Sequence, residues 1–289
     1  MDLKTFNSEL NKSYSRDQKY EKWTEYREDI SEFILDNLKV GGGTVLVLGA
    51  GNCHDLDLHA LLQQDYRLIL TDIDGSSMKE GLKRQAVEAE IFEVDYLGLS
   101  EINWLDELQK ICLSGNKIEF TQWLTQLTAT VEEKHFIWQG DPVDVTICLP
   151  IYTQLLFAQI EGQLRQYFLS DVLREEEYNG YLRQLLDVMP NIISDFNEGI
   201  LDLVGKGSQL VVLSDCLEDR PEGSYSQAYK AGEFEQAYDH YCQTYGMGLG
   251  HYGLYNIEEY YTPSESKWFR WPFANDRVLF VKAIIIETS

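Results

Sequence analysis

Apolar residues recur at helical spacing early in the chain and then give way to short runs that are apolar throughout. Trp23, Ile30 and Leu38 belong to one such stripe, which predicts an amphipathic helix that ends at the glycines of 41–43. The next segment, 44–48, is short, rich in apolar residues and β-branched at several positions. A run of this kind is typical of a parallel strand that is covered on both faces.

The same alternation of helical stripes and apolar runs continues to the end of the chain. We predict four more buried strands at 67–71, 90–94, 143–149 and 209–213, separated by helices that include 101–138 and 155–204. A polar and aromatic stretch at 217–267 predicts a loop-rich insertion or cap, and 267–271 with 278–287 predicts a closing hairpin. This order indicates a doubly wound, mainly parallel Rossmann-like α/β sheet with a C-terminal antiparallel hairpin and helical insertions.

The chain therefore divides into four predicted parts. They are an N-terminal helical segment at 1–40, an α/β core with helical insertions at 41–216, an aromatic-rich cap or insertion at 217–267, and the closing strands of the core at 268–289.

The residues that follow the first three strands are the first candidates for ligand contacts, because open parallel sheets bind ligands at the carboxyl ends of their strands. The first strand leads into Gly49, Ala50, Gly51 and Asn52, where glycine permits a sharp turn and a close approach. The second ends at Asp72, 23 positions after Gly49, where a carboxylate can accept both hydroxyls of a ribose. The third ends at Asp95 and Tyr96, where a carboxylate can accept the amine of an adenine. Together these positions predict a nucleoside site in the α/β core.

The residues after the glycine turn indicate which nucleoside. A dinucleotide fingerprint has a third glycine where His54 stands, and its pyrophosphate rests on the N-terminus of the next helix. Asp55 and Asp57 would repel a pyrophosphate there but would suit the ammonium of a methionine moiety. The predicted cofactor is therefore S-adenosyl-L-methionine rather than NAD.

These segments resemble motifs of the class I S-adenosylmethionine-dependent methyltransferases. Residues 45–51 are similar to the family's first motif, 70–74 to the segment after it, 92–96 to its acidic adenine motif and 144–149 to its fourth-strand motif. The resemblance implies that Gly49 and Gly51 approach the methionine moiety, Asp72 holds the ribose and Asp95 the adenine. Ile73 and Leu149 complete the predicted set of cofactor contacts. The chain departs from the family at Val47, where an acid usually braces the turn, and at Cys53, where a further glycine is usual.

Catalytic candidates are fewer, because methyl transfer is an in-line displacement in which positioning does most of the work. Tyr152 follows the fourth strand and is a candidate wall of the substrate pocket, although Pro150 as a strand terminator also explains this segment. Leu149 stands where amino-directed relatives have an amide or carboxylate, so N-methylation of adenine is not supported. His251 is the candidate base. It lies in a segment, Tyr225 to Tyr261, that holds nine of the 18 tyrosines and forms either a substrate lid or the filling of a cap.

Charge and composition limit the partners. The chain has 48 acidic residues against 24 Lys and Arg, a formal net charge of −24, which disfavours nucleic acid and favours cations. Five scattered cysteines predict neither disulfides nor a metal site. The first residues do not resemble a signal peptide, and no apolar run is long enough for a membrane span. We expect a cytoplasmic methyltransferase whose substrate is a small molecule, or less readily a protein side chain, with its oligomeric state open. The alternatives are a non-catalytic adenosyl-binding or scaffold protein, an NAD-dependent oxidoreductase and an aminopropyl-transfer enzyme.

Overall fold

The computed structural model describes residues 3–16, 18–39, 41–100, 102–134 and 136–288, without the side chains of residues 15 and 16. Seven strands are present in this part of the chain: β1 (Gly43–Leu48), β2 (Tyr66–Asp72), β3 (Glu90–Glu93), β4 (Val145–Cys148), β5 (Gln209–Asp219), β6 (Glu265–Ala274) and β7 (Arg277–Glu287).

Twelve α-helices accompany these strands in the described ranges. They are α1 (Leu3–Arg16), α2 (Lys19–Lys22), α3 (Thr24–Asn37), α4 (Leu58–Leu62), α5 (Gly75–Gln85), α6 (Trp104–Ser114), α7 (Lys117–Glu133), α8 (Phe157–Leu169), α9 (Glu175–Leu201), α10 (Ser224–Ala231), α11 (Phe234–Tyr245) and α12 (Leu249–Glu258). No helix of the described chain combines the length and the apolar character that crossing a membrane requires.

The strands form one sheet in the order β3-β2-β1-β4-β5-β7-β6. The first five strands are parallel, whereas β7 runs antiparallel to β5 and β6 antiparallel to β7. The predicted fold class, a mainly parallel Rossmann-like sheet closed by an antiparallel hairpin, is therefore confirmed. Leu48, the last residue of β1, pairs with Thr71 on β2 and with Cys148 on β4, so these strands end at one rim.

Side chains of the central strand alternate between two buried cores, as a sheet covered on both faces requires. Val45 and Val47 pack with residues of α3 and α5 on one face. Leu46 and Leu48 pack with residues of α6, α7 and α9 on the other. The residues of β1 are apolar at successive positions because both faces of the strand are buried.

Several predicted elements differ in detail. The single helix expected over 101–138 is two helices, because Gly115 has a left-handed backbone (φ 65°) and Asn116 caps α7 through its side chain. The helix expected over 155–204 is likewise divided into α8 and α9. The segment 217–267, expected to be loop-rich, contains α10, α11 and α12, and β5 and β6 extend into its two ends.

Candidate functional site

A cleft of about 870 Å³, open solvent at its mouth included, lies at the carboxyl ends of β1 to β4. This size is typical of small-molecule sites. All nine residues predicted to contact the cofactor line it: Gly49, Ala50, Gly51, Asn52, Asp72, Ile73, Asp95, Tyr96 and Leu149. The tertiary structure thus brings these positions together, while their contacts with a cofactor stay a prediction.

The glycine turn at the floor of the cleft is held by Tyr96. Gly49 (φ 75°) and Gly51 (φ 46°) both have left-handed backbones. The Gly49 N–H donates to the Tyr96 hydroxyl oxygen at 2.8 Å and also to the Thr71 carbonyl at 3.1 Å. The Tyr96 hydroxyl in turn donates to the same Thr71 carbonyl at 3.0 Å. A buried phenol from the segment after β3 therefore braces the turn for which Val47 offers no carboxylate.

Asp72 joins the glycine turn to the end of β2. One carboxylate oxygen accepts the Gly51 N–H and the other accepts the Asp74 N–H, both at 3.0 Å. Burial raises the pKa of Asp72, and these backbone hydrogen bonds partly oppose that rise. Each oxygen keeps a further lone pair, so the carboxylate can brace the turn and accept ribose hydroxyls at the same time.

Both carboxylate oxygens of Asp95 are used within the turn that follows β3. Its two oxygens accept the N–H groups of Leu97 at 3.1 Å and Ser100 at 2.6 Å. Across the cleft, Gln159 on α8 is 2% exposed, and its Oε1 finds no hydrogen-bond partner among the described residues. Its Nε2 donates to the Gln154 carbonyl at 2.6 Å, which fixes the amide. Gln159 is a cleft residue that the sequence analysis missed; its only signal is a glutamine on the apolar stripe of a helix.

Helix α1 forms a wall of the cleft through Leu3, Asn7, Asn11 and Tyr14, which recur every three or four residues. The Asn11 amide donates to Asp74 at 3.2 Å, and the Asn52 amide donates to the Asn11 carbonyl at 2.9 Å. A Cβ at Gly51 would lie 3.5 Å from the Asn11 side-chain oxygen. The N-terminal helix therefore lies directly against the glycine turn.

Of the residues after the glycine turn, Cys53 and Asp57 shape the backbone, and Asp55 faces the cleft. Cys53 has a left-handed backbone (φ 54°), the conformation that glycine adopts most readily, so the chain makes this bend without the glycine that is usual in the family. Asp57 accepts the Ala60 N–H at 3.0 Å and caps α4. Asp55 precedes that helix and lines the cleft, and its Oδ1 is buried without a hydrogen-bond partner in the described chain. Burial raises the pKa of Asp55 to about 7.

Neither predicted catalytic residue belongs to the cleft lining. Tyr152 is fully buried, and its hydroxyl donates to the Asn197 side-chain oxygen at 2.8 Å. The Asn197 amide then binds the Gly253 carbonyl, so Tyr152 helps to join α9 to α12. His251 is half-buried on α12, with its Nδ1 2.7 Å from the Tyr238 hydroxyl, and burial lowers its pKa. Both residues thus make packing contacts outside the cleft, and the structure does not support Tyr152 as a pocket wall or His251 as the base.

Comparison with known proteins gives similarity of structure alone. No protein-family model matches the chain, and no curated protein sequence does. Among solved structures, the chain is similar to a methyltransferase from Aquifex aeolicus, with 10% identity, 98% of each chain covered and a TM-score of 0.45. It is also similar to a TehB-like methyltransferase from Corynebacterium glutamicum, with 10% identity, 98% of this chain and 100% of that chain covered and a TM-score of 0.42.

A third similar structure is magnesium protoporphyrin IX methyltransferase from Synechocystis with bound SAH, with 10% identity, 92% of this chain and 83% of that chain covered and a TM-score of 0.42. All three are methyltransferases, the family that the sequence motifs resemble. Similarity at 10% identity does not identify the molecule that this chain binds. The ligand has to be inferred from the chemistry of the cleft.

Proposed function

We propose that the protein is an S-adenosyl-L-methionine-dependent methyltransferase that acts on a small molecule. The observation that supports this most directly is the convergence, in one cleft, of a left-handed glycine turn with the carboxylates of Asp72 and Asp95 from the two neighbouring strands. Parallel strands bring these groups to the rim at which open α/β sheets bind nucleotides.

The residues of the cleft fit the separate parts of this cofactor. Asp72 would accept the ribose hydroxyls, and the unpartnered Oε1 of Gln159 would accept the amine of the adenine beside Asp95. The unpartnered Oδ1 of Asp55 suits the ammonium of the methionine moiety. The same carboxylate would repel a pyrophosphate, which argues against NAD. The bound cofactor would supply the sulfonium methyl group, and the residues around it would orient the acceptor in line with the S–CH₃ bond.

Calorimetry on three proteins tests the proposal. The wild type should bind S-adenosylmethionine and should bind NAD and the decarboxylated cofactor more weakly. Asp72→Asn keeps the size of the side chain but loses the charge that strengthens its hydrogen bonds, a change of about 1.5–3 kcal/mol, or roughly ten- to a hundredfold in affinity. Asp65→Asn, at an exposed turn before β2, is the matched control and should bind like the wild type. Equal affinity in the Asp72 and Asp65 variants would remove Asp72 from the site, and tighter binding of NAD would overturn the proposal.

A further inference from the structure

The strand order indicates where the acceptor would bind, and this inference rests on the proposed function. With adenine at β3, ribose at β2 and methionine at β1, the next strands of the sheet are β4 and β5. The acceptor must reach the methionine end of the cofactor, so we expect it over the carboxyl ends of these two strands. Asp215 is the carboxylate that β5 carries to this position.

Asp215 extends past the end of β4 and is firmly held. Val212 pairs with Cys148, the last residue of β4, and Asp215 comes three residues later. The pairing of β5 with β7 shifts register after Asp215, and bulges of this kind redirect side chains next to active sites. The Thr153 hydroxyl donates to the Asp215 carboxylate at 3.2 Å. A Cβ at Gly250 would lie 2.0 Å from the Asp215 carbonyl oxygen, so α12 packs directly on the strand.

Asp55 and Tyr14 line this end of the cleft. Asp215 and Tyr26 lie outside the lining, beside Thr153 and Trp271 respectively. Burial is the main cause that raises the pKa values of Asp55, Tyr14 and Tyr26, and the nearby charge of Asp215 raises all three further. Tyr26 is 1% exposed, and its hydroxyl has no hydrogen-bond partner within the described ranges. Its ring stacks on Trp271, which lines the cleft, at a centroid distance of 5.0 Å and an interplanar angle of 6°. Carboxylates, phenols and an indole thus lie close together at this edge of the cleft.

The two carboxylates have no close cationic partner. In the part of the chain that the structure describes, no Lys or Arg nitrogen lies within 4.0 Å of Asp55 or Asp215. Arg27 instead donates to the carbonyls of Tyr20 and His54, and Arg277 is paired with Glu218. Unpaired carboxylates surrounded by protein are costly unless a ligand supplies positive charge. The ammonium of the cofactor would supply it to Asp55, which leaves Asp215 for the acceptor.

We propose that this end of the cleft binds the methyl acceptor through a basic amine, with Asp215 as the group that receives the proton of the amine. The acceptor ammonium gives a proton to the Asp215 carboxylate, which frees the nitrogen lone pair. The nitrogen then bonds to the methyl carbon while the S–CH₃ bond breaks and its electron pair stays on sulfur. The products are S-adenosylhomocysteine, a methylated ammonium and a proton held by Asp215. The rings of Tyr14 and Trp271 favour a cation at this place.

Burial of Asp215 supports this role independently of the charge pattern. It raises the pKa of the carboxyl to about 7, against the effect of the Thr153 hydrogen bond and of Arg277. A base with a pKa near the working pH exchanges protons most effectively. Asp55, Tyr14 and Tyr26, from three neighbouring segments, are further titratable groups that interact with the Asp215 charge.

A pair of matched probes tests the proposal on the full chain. Phenethylamine and 2-phenylethanol differ in carrying an ammonium or a hydroxyl, and their binding is followed by tryptophan fluorescence with S-adenosylhomocysteine bound. We expect the wild type to bind the amine at least tenfold more tightly than the alcohol. Asp215→Asn should abolish this preference, Asp215→Glu should restore much of it, and Glu218→Gln, on the exposed side of the same strand, should keep it. Equal binding of the two probes by the wild type, or a preference that survives in Asp215→Asn, would overturn the proposal.

Binding of S-adenosylhomocysteine alone separates this inference from the proposed function. At pH 8.5, where Asp55 is ionised with or without the Asp215 charge, Asp215→Asn should bind it with wild-type affinity and give an unchanged circular dichroism spectrum. If the wild type binds no adenosyl compound, the proposed function fails, and the same two probes on the unliganded protein then decide the amine site separately. If the cofactor binds but the amine preference is absent, only the acceptor class is wrong.

Discussion

The Tyr96 hydroxyl lies 2.8 Å from the Gly49 backbone nitrogen and accepts its hydrogen, although 47 residues separate the two in sequence. This contact joins the end of β3 to the turn after β1 across the intervening β2. The bracing group thus comes from the segment after β3. In the family, the usual bracing carboxylate lies within β1 itself, at the position of Val47. The chain therefore departs from the family in sequence at Val47 while it keeps a braced turn.

Tyr96→Phe should lower the free energy of unfolding by about 1–3 kcal/mol, because the hydroxyl loses its buried hydrogen bonds with the Gly49 N–H and the Thr71 carbonyl, while Gly49 keeps its own bond to that carbonyl. It should also weaken S-adenosylmethionine binding, since the turn becomes less rigid. Urea unfolding and calorimetry measure the two effects. Tyr255→Phe, at an exposed position, is the control and should change neither. Unchanged cofactor binding in Tyr96→Phe would show that the turn holds without the phenol.

Gly81 on α5 packs against the same turn, at the backbone of Asn52. A Cβ there would lie 2.4 Å from the Asn52 carbonyl oxygen, so Gly81→Ala must displace the turn. We expect a loss of stability of about 1–3 kcal/mol, as overpacking usually causes, together with weaker cofactor binding. Gly162→Ala, on α8, meets no atom within 4 Å and should stabilise the helix by about 0.5–1 kcal/mol. Similar thermal midpoints for the two variants would contradict this account.

Gln159 is expected to recognise the adenine. Gln159→Leu removes the unpartnered Oε1 and should weaken both S-adenosylhomocysteine and adenosine by about tenfold, the value of one hydrogen bond in a closed site. Gln166→Leu, exposed on the same helix, is the control. Calorimetry with the two ligands checks the prediction. A variant that loses affinity for S-adenosylhomocysteine but not for adenosine would place Gln159 elsewhere along the cofactor.

Cofactor affinity should depend on pH through Asp55. Burial raises the pKa of this carboxyl to about 7, so a rising proportion of it is neutral as the pH falls below that value. Only the ionised form attracts the ammonium of the cofactor, and binding should therefore weaken by up to about tenfold per pH unit below 7. Asp55→Asn should bind more weakly at pH 8 and lose most of this dependence. Calorimetry at pH 5.5 to 8.5 measures both curves, and a flat wild-type curve would contradict the prediction.

The sheet and the rim of the site could be predicted from local sequence patterns. Buried parallel strands leave continuous apolar runs, and a turn that needs left-handed backbone leaves glycines, so β1 to β5 and the residues that follow them could be read locally. The helix ends inside 101–138 and 155–204 were harder to predict. The helical pattern of apolar residues continues across them, and only single residues such as Gly115 mark the break.

Which polar residues come into contact depends on how the helices pack against the sheet, and local sequence does not reveal it. Tyr152 and His251 have the residue types of catalytic groups, yet packing between α9, α11 and α12 buries one and holds the other beside Tyr238. Asp215 and Gln159 gave no signal, since a carboxylate near a strand end and a glutamine in a helix are ordinary residues. The roles proposed for these two residues rest on their burial and on an ion pair or a hydrogen bond that they do not make in the described part of the chain. Both depend on neighbours that are distant in sequence rather than on the local pattern.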